Sequence, residues 1–261
     1  MSDMQLALDS KRWLNAATTI KREFQEFTTF LKRPKRGTGK QANGWAWLGR
    51  VAGFLFLLLL LYIPLSVVSI WAHTKVQVDS VLDFGQFGIG IFLIAGFVGP
   101  LIEEIIFRAG LRSAGYSLYL GPIAIAIFVA VRDATAFFVL IAQVLIIFIV
   151  WIMHLRNVEN TITKIRYSRR FLASYPIIFW LYAIAFSQMH IRNYSFEGAT
   201  AALTIALFQI PQFLAGVVLA YLRLRDGLRS SITLHCLHNL LALWLAAHAD
   251  KCPGWIRFMC E

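Results

Sequence analysis

The sequence predicts an all-α membrane protein, a polytopic transmembrane helical bundle of about seven to eight helices, on three observations. Hydrophobic residues make up 58% of the chain and charged residues only 15%, well under the quarter or so found in soluble domains. The apolar residues gather in runs near the ~20 residues that cross a hydrocarbon core. Basic residues fall in the N-terminal stretch and between those runs, so the net charge of +11 reads as membrane topology and not as nucleic-acid binding.

Residues 1–44 carry Lys11, Arg12, Lys21, Arg22, Lys32, Arg33, Lys35, Arg36 and Lys40 and predict a cytoplasmic segment. Leu6, Leu8, Trp13, Leu14, Ile20, Phe24, Phe27 and Phe30 recur there at near-helical spacing, the pattern of a basic amphipathic helix on anionic lipid; a solvated tail is the alternative. No apolar h-region is present, so a cleaved signal peptide is not expected. Residues 45–250 form the membrane domain, with apolar runs at 47–71, 84–107, 117–131, 135–153, 171–190, 199–222 and 230–248.

Gly99-Pro100 and Gly121-Pro122 offer break points, and 117–131 is short enough to be a half-helix. With the N-terminus inside, the basic loops 154–170 and 223–229 fall in the cytoplasm, in agreement with the positive-inside rule. The tail 251–261 is then outside, where Cys252 and Cys260 can oxidise. Trp45, Trp47, Trp71, Trp180 and Trp244 include several near span ends and read as interfacial anchors.

Three ionisable groups interrupt the second run, in Pro100-Leu101-Ile102-Glu103-Glu104-Ile105-Ile106-Phe107-Arg108. Charges at lipid depth cost roughly 2.5–3.5 kcal/mol each, so they need partners. Glu104 and Arg108 stand at i and i+4 with the acid first, the favourable order for a pair on one helix face. Glu103 is rotated about 100° away and has no such neighbour, which leaves it available as a base.

Two more runs carry polar groups that lipid does not tolerate alone. Phe186-Ser187-Gln188-Met189-His190 ends in a histidine, and His235-Cys236-Leu237-His238-Asn239 sets His235 and Asn239 four residues apart on one helix face. A lone histidine of this kind is ordinarily an interhelical hydrogen-bond partner; three polar motifs together point to a site. No Walker motif, GxSxG or HExxH occurs.

The ordered patterns EExxxR, FxxxH and HxxxN resemble the CAAX-protease and bacteriocin-processing (CPBP) family of intramembrane proteases, which includes the type II CAAX prenyl endopeptidases. The resemblance covers about residues 84–245. It implies an endopeptidase in which Glu103 activates water, His190 assists, His235 and Asn239 hold the oxyanion, and Glu104, Arg108 and Phe186 support them. The connection from Glu103 to His190, with two apolar runs and a basic loop, is longer than the family pattern and reads as an insertion.

The residue chemistry agrees with those roles, since amide hydrolysis needs a base for water and donors aimed at the developing oxyanion. A divalent metal such as zinc is the competing reading, with Glu103, His190 and His235 as its ligands. The expected partners are the bilayer and a membrane-embedded or lipidated peptide substrate, with no nucleic acid, in a bacterial plasma membrane. The alternative function is a noncatalytic scaffold or bacteriocin-immunity-type protein on the same fold.

Overall fold

The structure, a computed structural model, describes residues 21–37, 42–73, 78–80, 88–117, 121–123, 125, 165, 168–169, 171–196 and 201–247. The apolar runs at 135–153 and most of 117–131, the residues before 21, and Cys252 and Cys260 lie outside those residues. The chain divides into two compact units, Met1–Lys35 and Arg36–Glu261. In the first, residues 21–32 form helix α1, which places Phe24, Phe27 and Phe30 of the expected amphipathic segment on a helix.

Among the described residues, the second unit is helical apart from two three-residue strands. Its elements are α2 (Gly44–His73), β1 (Val78–Ser80), α3 (Gly88–Leu93), a π-helical turn (Ile94–Val98), α4 (Gly99–Arg108), a 3₁₀ turn (Ala109–Arg112), α5 (Tyr175–Met189), a second 3₁₀ turn (His190–Asn193), β2 (Tyr194–Phe196), α6 (Ala201–Asp226) and α7 (Leu228–Ala247). The described part of the apolar run 84–107, from Gly88 on, is thus one helical path with a wide turn in it. The fifth run continues past its helix through the turn that begins at His190.

Helix α6 is the centre of the bundle, packing on α2, α5 and α7, while α7 also meets α2, α4 and the π turn. Residues 215–222 of α6 are buried on every side. Gly216 allows the α5 approach: a Cβ there would stand 3.0 Å from Phe186 Cδ1 and 3.3 Å from the Ala183 carbonyl.

The contacts at the helix ends fix the direction of each helix. The strands pair antiparallel with Val78 opposite Phe196, so α2 and α5 finish at the same end of the bundle. At the other end α6 stops where α2 starts. Asp226 Oδ1 accepts from Arg50 Nη1 at 2.6 Å and from the Ala42 amide at 3.0 Å. Also at that end, Arg223 Nε donates to the Arg108 carbonyl at 3.2 Å, and Arg112 Nη2 donates to the Leu224 carbonyl. Helices α2, α5 and α7 therefore run one way, and α4 and α6 the other.

Two sequence expectations change here. The basic stretch 223–229 is not a loop: α6 runs through Arg223 and Arg225 to Asp226, α7 begins at Leu228, and only Gly227 separates them. Gly227 has φ +95°, the left-handed conformation that ends helices at low cost when no Cβ is present. Polar groups on either side of it reach the start of α2 and the end of α4, through Asp226 and Arg223. Trp47 is likewise more than an interfacial anchor. Its indole donates to Ser230 Oγ at 2.7 Å, and the Arg229 guanidinium lies 4.7 Å over its ring. Trp45 and Trp244 remain exposed.

Among the described residues, one helix, over Gly44–Tyr62, is long and apolar enough by itself to cross a membrane, and α5 is a shorter apolar helix. Helices α6 and α7 have the length, 26 and 20 residues, but carry polar side chains for the interior.

Replacing Asp226 by Ala leaves the nearly buried Arg50 without that acceptor, and breaking a buried pair costs about 3–5 kcal/mol. Thermal unfolding in detergent is expected to show that loss, with much of it recovered when Arg50→Met is added.

Candidate active site

The π turn leads directly into α4, with Pro100, which has no N–H, in its first turn. Down α4, Glu104 and Arg108 are buried, with 0% and 1% exposure, and Arg108 Nε lies 3.5 Å from Glu104 Oε1. The expected i, i+4 pair is therefore present. The same Glu104 oxygen is 3.1 Å from His235 Nδ1 on α7, so Glu104 joins two helices and is not a purely local partner.

Glu103 points at the two histidines. Its Oε2 lies 3.8 Å from His190 Nε2 and 3.7 Å from His235 Nε2, and that oxygen is buried with no hydrogen-bond partner. Both imidazoles are held from their far side. His190 Nδ1 is 2.8 Å from the Phe186 carbonyl; a carbonyl only accepts, so Nδ1 carries a proton and Nε2 faces Glu103. His235 is turned the same way by Glu104.

Asn239 faces a different partner. Its amide nitrogen donates to the Ala95 carbonyl at 2.9 Å, inside the π turn, and its Oδ1 is 3.3 Å from His238 Nδ1. The His238 ring in turn packs edge-on against Tyr62 of α2, centroids 5.1 Å apart. Asn239 therefore fastens α7 to the turn that precedes the acidic pair, with one amide hydrogen left over.

Phe186 lies between these groups, 1% exposed. Arg108 Cζ stands 3.8 Å over its ring centroid. Its ring is 4.7 Å from that of His190 and 5.7 Å from that of His235. One face of Phe107 closes the cluster at 5.6 Å.

Sequence reasoning did not reach the groups that finish α4. In a dry setting its last carbonyls need donors, and they get them from far along the chain. Tyr116 shares its hydroxyl between the Ile105 and Ile106 carbonyls, each at 3.2 Å. Ser117 donates to Gly110, and Tyr175 to Leu111 at 2.9 Å. The available signal was tyrosine inside apolar runs, which usually means a buried hydroxyl with a partner.

A metal finds no support. Tetrahedral zinc with bonds of about 2.0–2.1 Å sets its donors about 3.4 Å apart, closer than the 3.7 and 3.8 Å seen here. No group of three or more His, Cys, Asp or Glu side chains among the described residues is arranged to hold an ion.

The order EExxxR, FxxxH, HxxxN on α4, α5 and α7, with the three motifs meeting at one place, accompanies a family match. The model of type II CAAX prenyl endopeptidase Rce1-like proteins matches residues 85–241. The chain belongs to that family. Rce1-like proteins are integral membrane proteases, and the matched region runs from just before α3 into α7, leaving α2 outside it. No curated protein and no solved structure is significantly similar to the chain.

The geometry separates the two acids by consequence. Glu104→Ala strands a buried guanidinium and is expected to cost about 3–5 kcal/mol. Glu103→Gln leaves the bonds of Glu104 to Arg108 and His235 in place and is expected to cost less than Glu104→Ala; urea or thermal unfolding of both variants in detergent measures the contrast.

Proposed function

We infer that the protein is a glutamate-dependent intramembrane endopeptidase that hydrolyses a peptide bond of a membrane-embedded or lipidated substrate. The observation that carries this reading is the convergence of Glu103, His190 and His235 from three helices, with Glu103 Oε2 buried and unbonded. At 3.7–3.8 Å the three groups are too far apart to bond one another, and one water can reach all of them.

In the mechanism, Glu103 takes a proton from that water as its oxygen attacks the scissile carbonyl carbon. His190 accepts the water's other hydrogen bond through Nε2 and aims the lone pair. The carbonyl electrons move to oxygen, where His235, through Nε2, and the spare amide hydrogen of Asn239 stabilise the charge. The tetrahedral carbon then expels the amine, which takes the proton from Glu103; the products are a carboxylic acid and an amine.

The membrane setting is read as a bundle of seven to eight helices with the N-terminus cytoplasmic. Two features support it. Arg50, Arg112, Arg223, Arg225 and Arg229 gather at the end where α2 starts and α6 stops, as the positive-inside rule requires. The alternating helix directions match a chain that crosses repeatedly.

The test is cleavage of a lipidated peptide by proteoliposomes. Glu103→Ala and His235→Ala are each expected to lower the rate by about 10²–10⁴-fold, the usual worth of a general base or oxyanion donor. Wild-type rates in both variants overturn the reading.

A further inference from the structure

Arg108 poses a question that the proposed reaction leaves open. It is buried, only its Nε approaches Glu104, and its Nη1 and Nη2 have no hydrogen-bond partner. What offsets that burial is an aromatic face: Phe186, with the guanidinium carbon 3.8 Å from the ring centroid. A desolvated cation–π contact of this kind is among the strong ones. Phe107 gives the same charge a weaker contact at 5.9 Å.

The position of Arg108 decides that of Glu104, whose Oε1 is shared between Arg108 Nε at 3.5 Å and His235 Nδ1 at 3.1 Å. If the guanidinium left the ring it would turn toward Glu104 to satisfy its nitrogens, and the carboxylate would turn with it. His235 would then lose the group that aims its Nε2 at Glu103. The same ring lies edge-on to His235, and the backbone of the same residue fixes His190. Gly216 of α6 makes room for the ring's edge, since a Cβ there would stand 3.0 Å from Phe186 Cδ1.

We propose that Phe186 is a positioning residue: its ring face seats the Arg108 guanidinium so that Glu104 remains bonded to His235 and holds that imidazole toward Glu103. The proposal rests on the endopeptidase reading for its catalytic consequence but not for the contact itself. Substitution of the side chain leaves the Phe186 carbonyl, and with it the His190 bond, in place, and coupling to Arg108 separates the seat from the ring's contacts with His190 and His235.

The full chain in proteoliposomes, acting on a lipidated peptide, is compared as wild type, Phe186→Leu, Phe186→Met and Phe186→Tyr. The Leu and Met variants are expected to lose at least tenfold in kcat with KM within twofold, and to show a displaced pH–kcat profile. Tyr, which keeps the aromatic face, is expected to stay within threefold of wild type. Leu or Met variants that fold and keep the wild-type kcat and pH profile overturn the proposal. A substrate-free arm separates it from the endopeptidase reading: thermal unfolding of Phe186→Leu, Arg108→Met and the double variant. Strong coupling, with the ring's contribution vanishing once Arg108 is gone, is expected even if no peptide is cleaved; additive losses overturn the seat.

Discussion

A buried guanidinium constrains everything around it. Arg108 is a permanent charge, and the chain has placed it where water cannot serve it. A carboxylate within its own helix supplies the counter-charge, an aromatic ring from α5 covers its face, and the arrangement closes when that same carboxylate reaches α7. Three helices are thereby committed to a single relative position. Neutral hydrophobic packing could have joined them more cheaply, since buried ion pairs are weak sources of net stability. Their worth here lies in turning the His235 imidazole toward Glu103.

The backbone at the end of α4 is treated with the same economy. Each exposed carbonyl meets a donor from another segment: Tyr116, Ser117, Arg223 and Tyr175. Arg223 and Arg112 form a reciprocal arrangement, each reaching from one helix's last turn to a carbonyl in the other's. Positive groups at helix C-termini also complement the helix dipoles. The end of the bundle rich in arginine is thus internally cross-linked as well as positively charged.

How much of this was legible in the sequence varies with the range of the interaction. The helices at 44–73, 175–189 and 201–247 follow the apolar runs, because local hydrophobicity sets them. The Glu104–Arg108 pair follows from i, i+4 spacing alone. The break between α6 and α7 was misplaced because arginines suggested solvent, whereas Arg223 spends its donor on a carbonyl in another helix. Similarly, Glu104 looked fully explained by Arg108; its bond to His235 joins residues 131 apart, and no periodicity encodes that. The role of Asn239 is mixed for the same reason. Its spacing from His235 is plain in the sequence, while its bond to Ala95 depends on a carbonyl that only an irregular turn sets free.

That irregular turn has a geometric effect on the whole acidic segment. In a regular α-helix four residues overshoot one revolution by about 40°, so a stripe written every fourth residue winds around the axis. Here the outward positions 89, 93, 97 and 101 and the inward positions 96, 100, 104 and 108 keep a spacing of four throughout. The Gly99 amide bonds back to Ile94, five residues away, and a wider loop of backbone holds more residues per revolution. The extra residue acts as a phase corrector between two helices: it turns the path back where α3 gives way to α4, so that positions 89 and 93 before it and 101 after it face outward together.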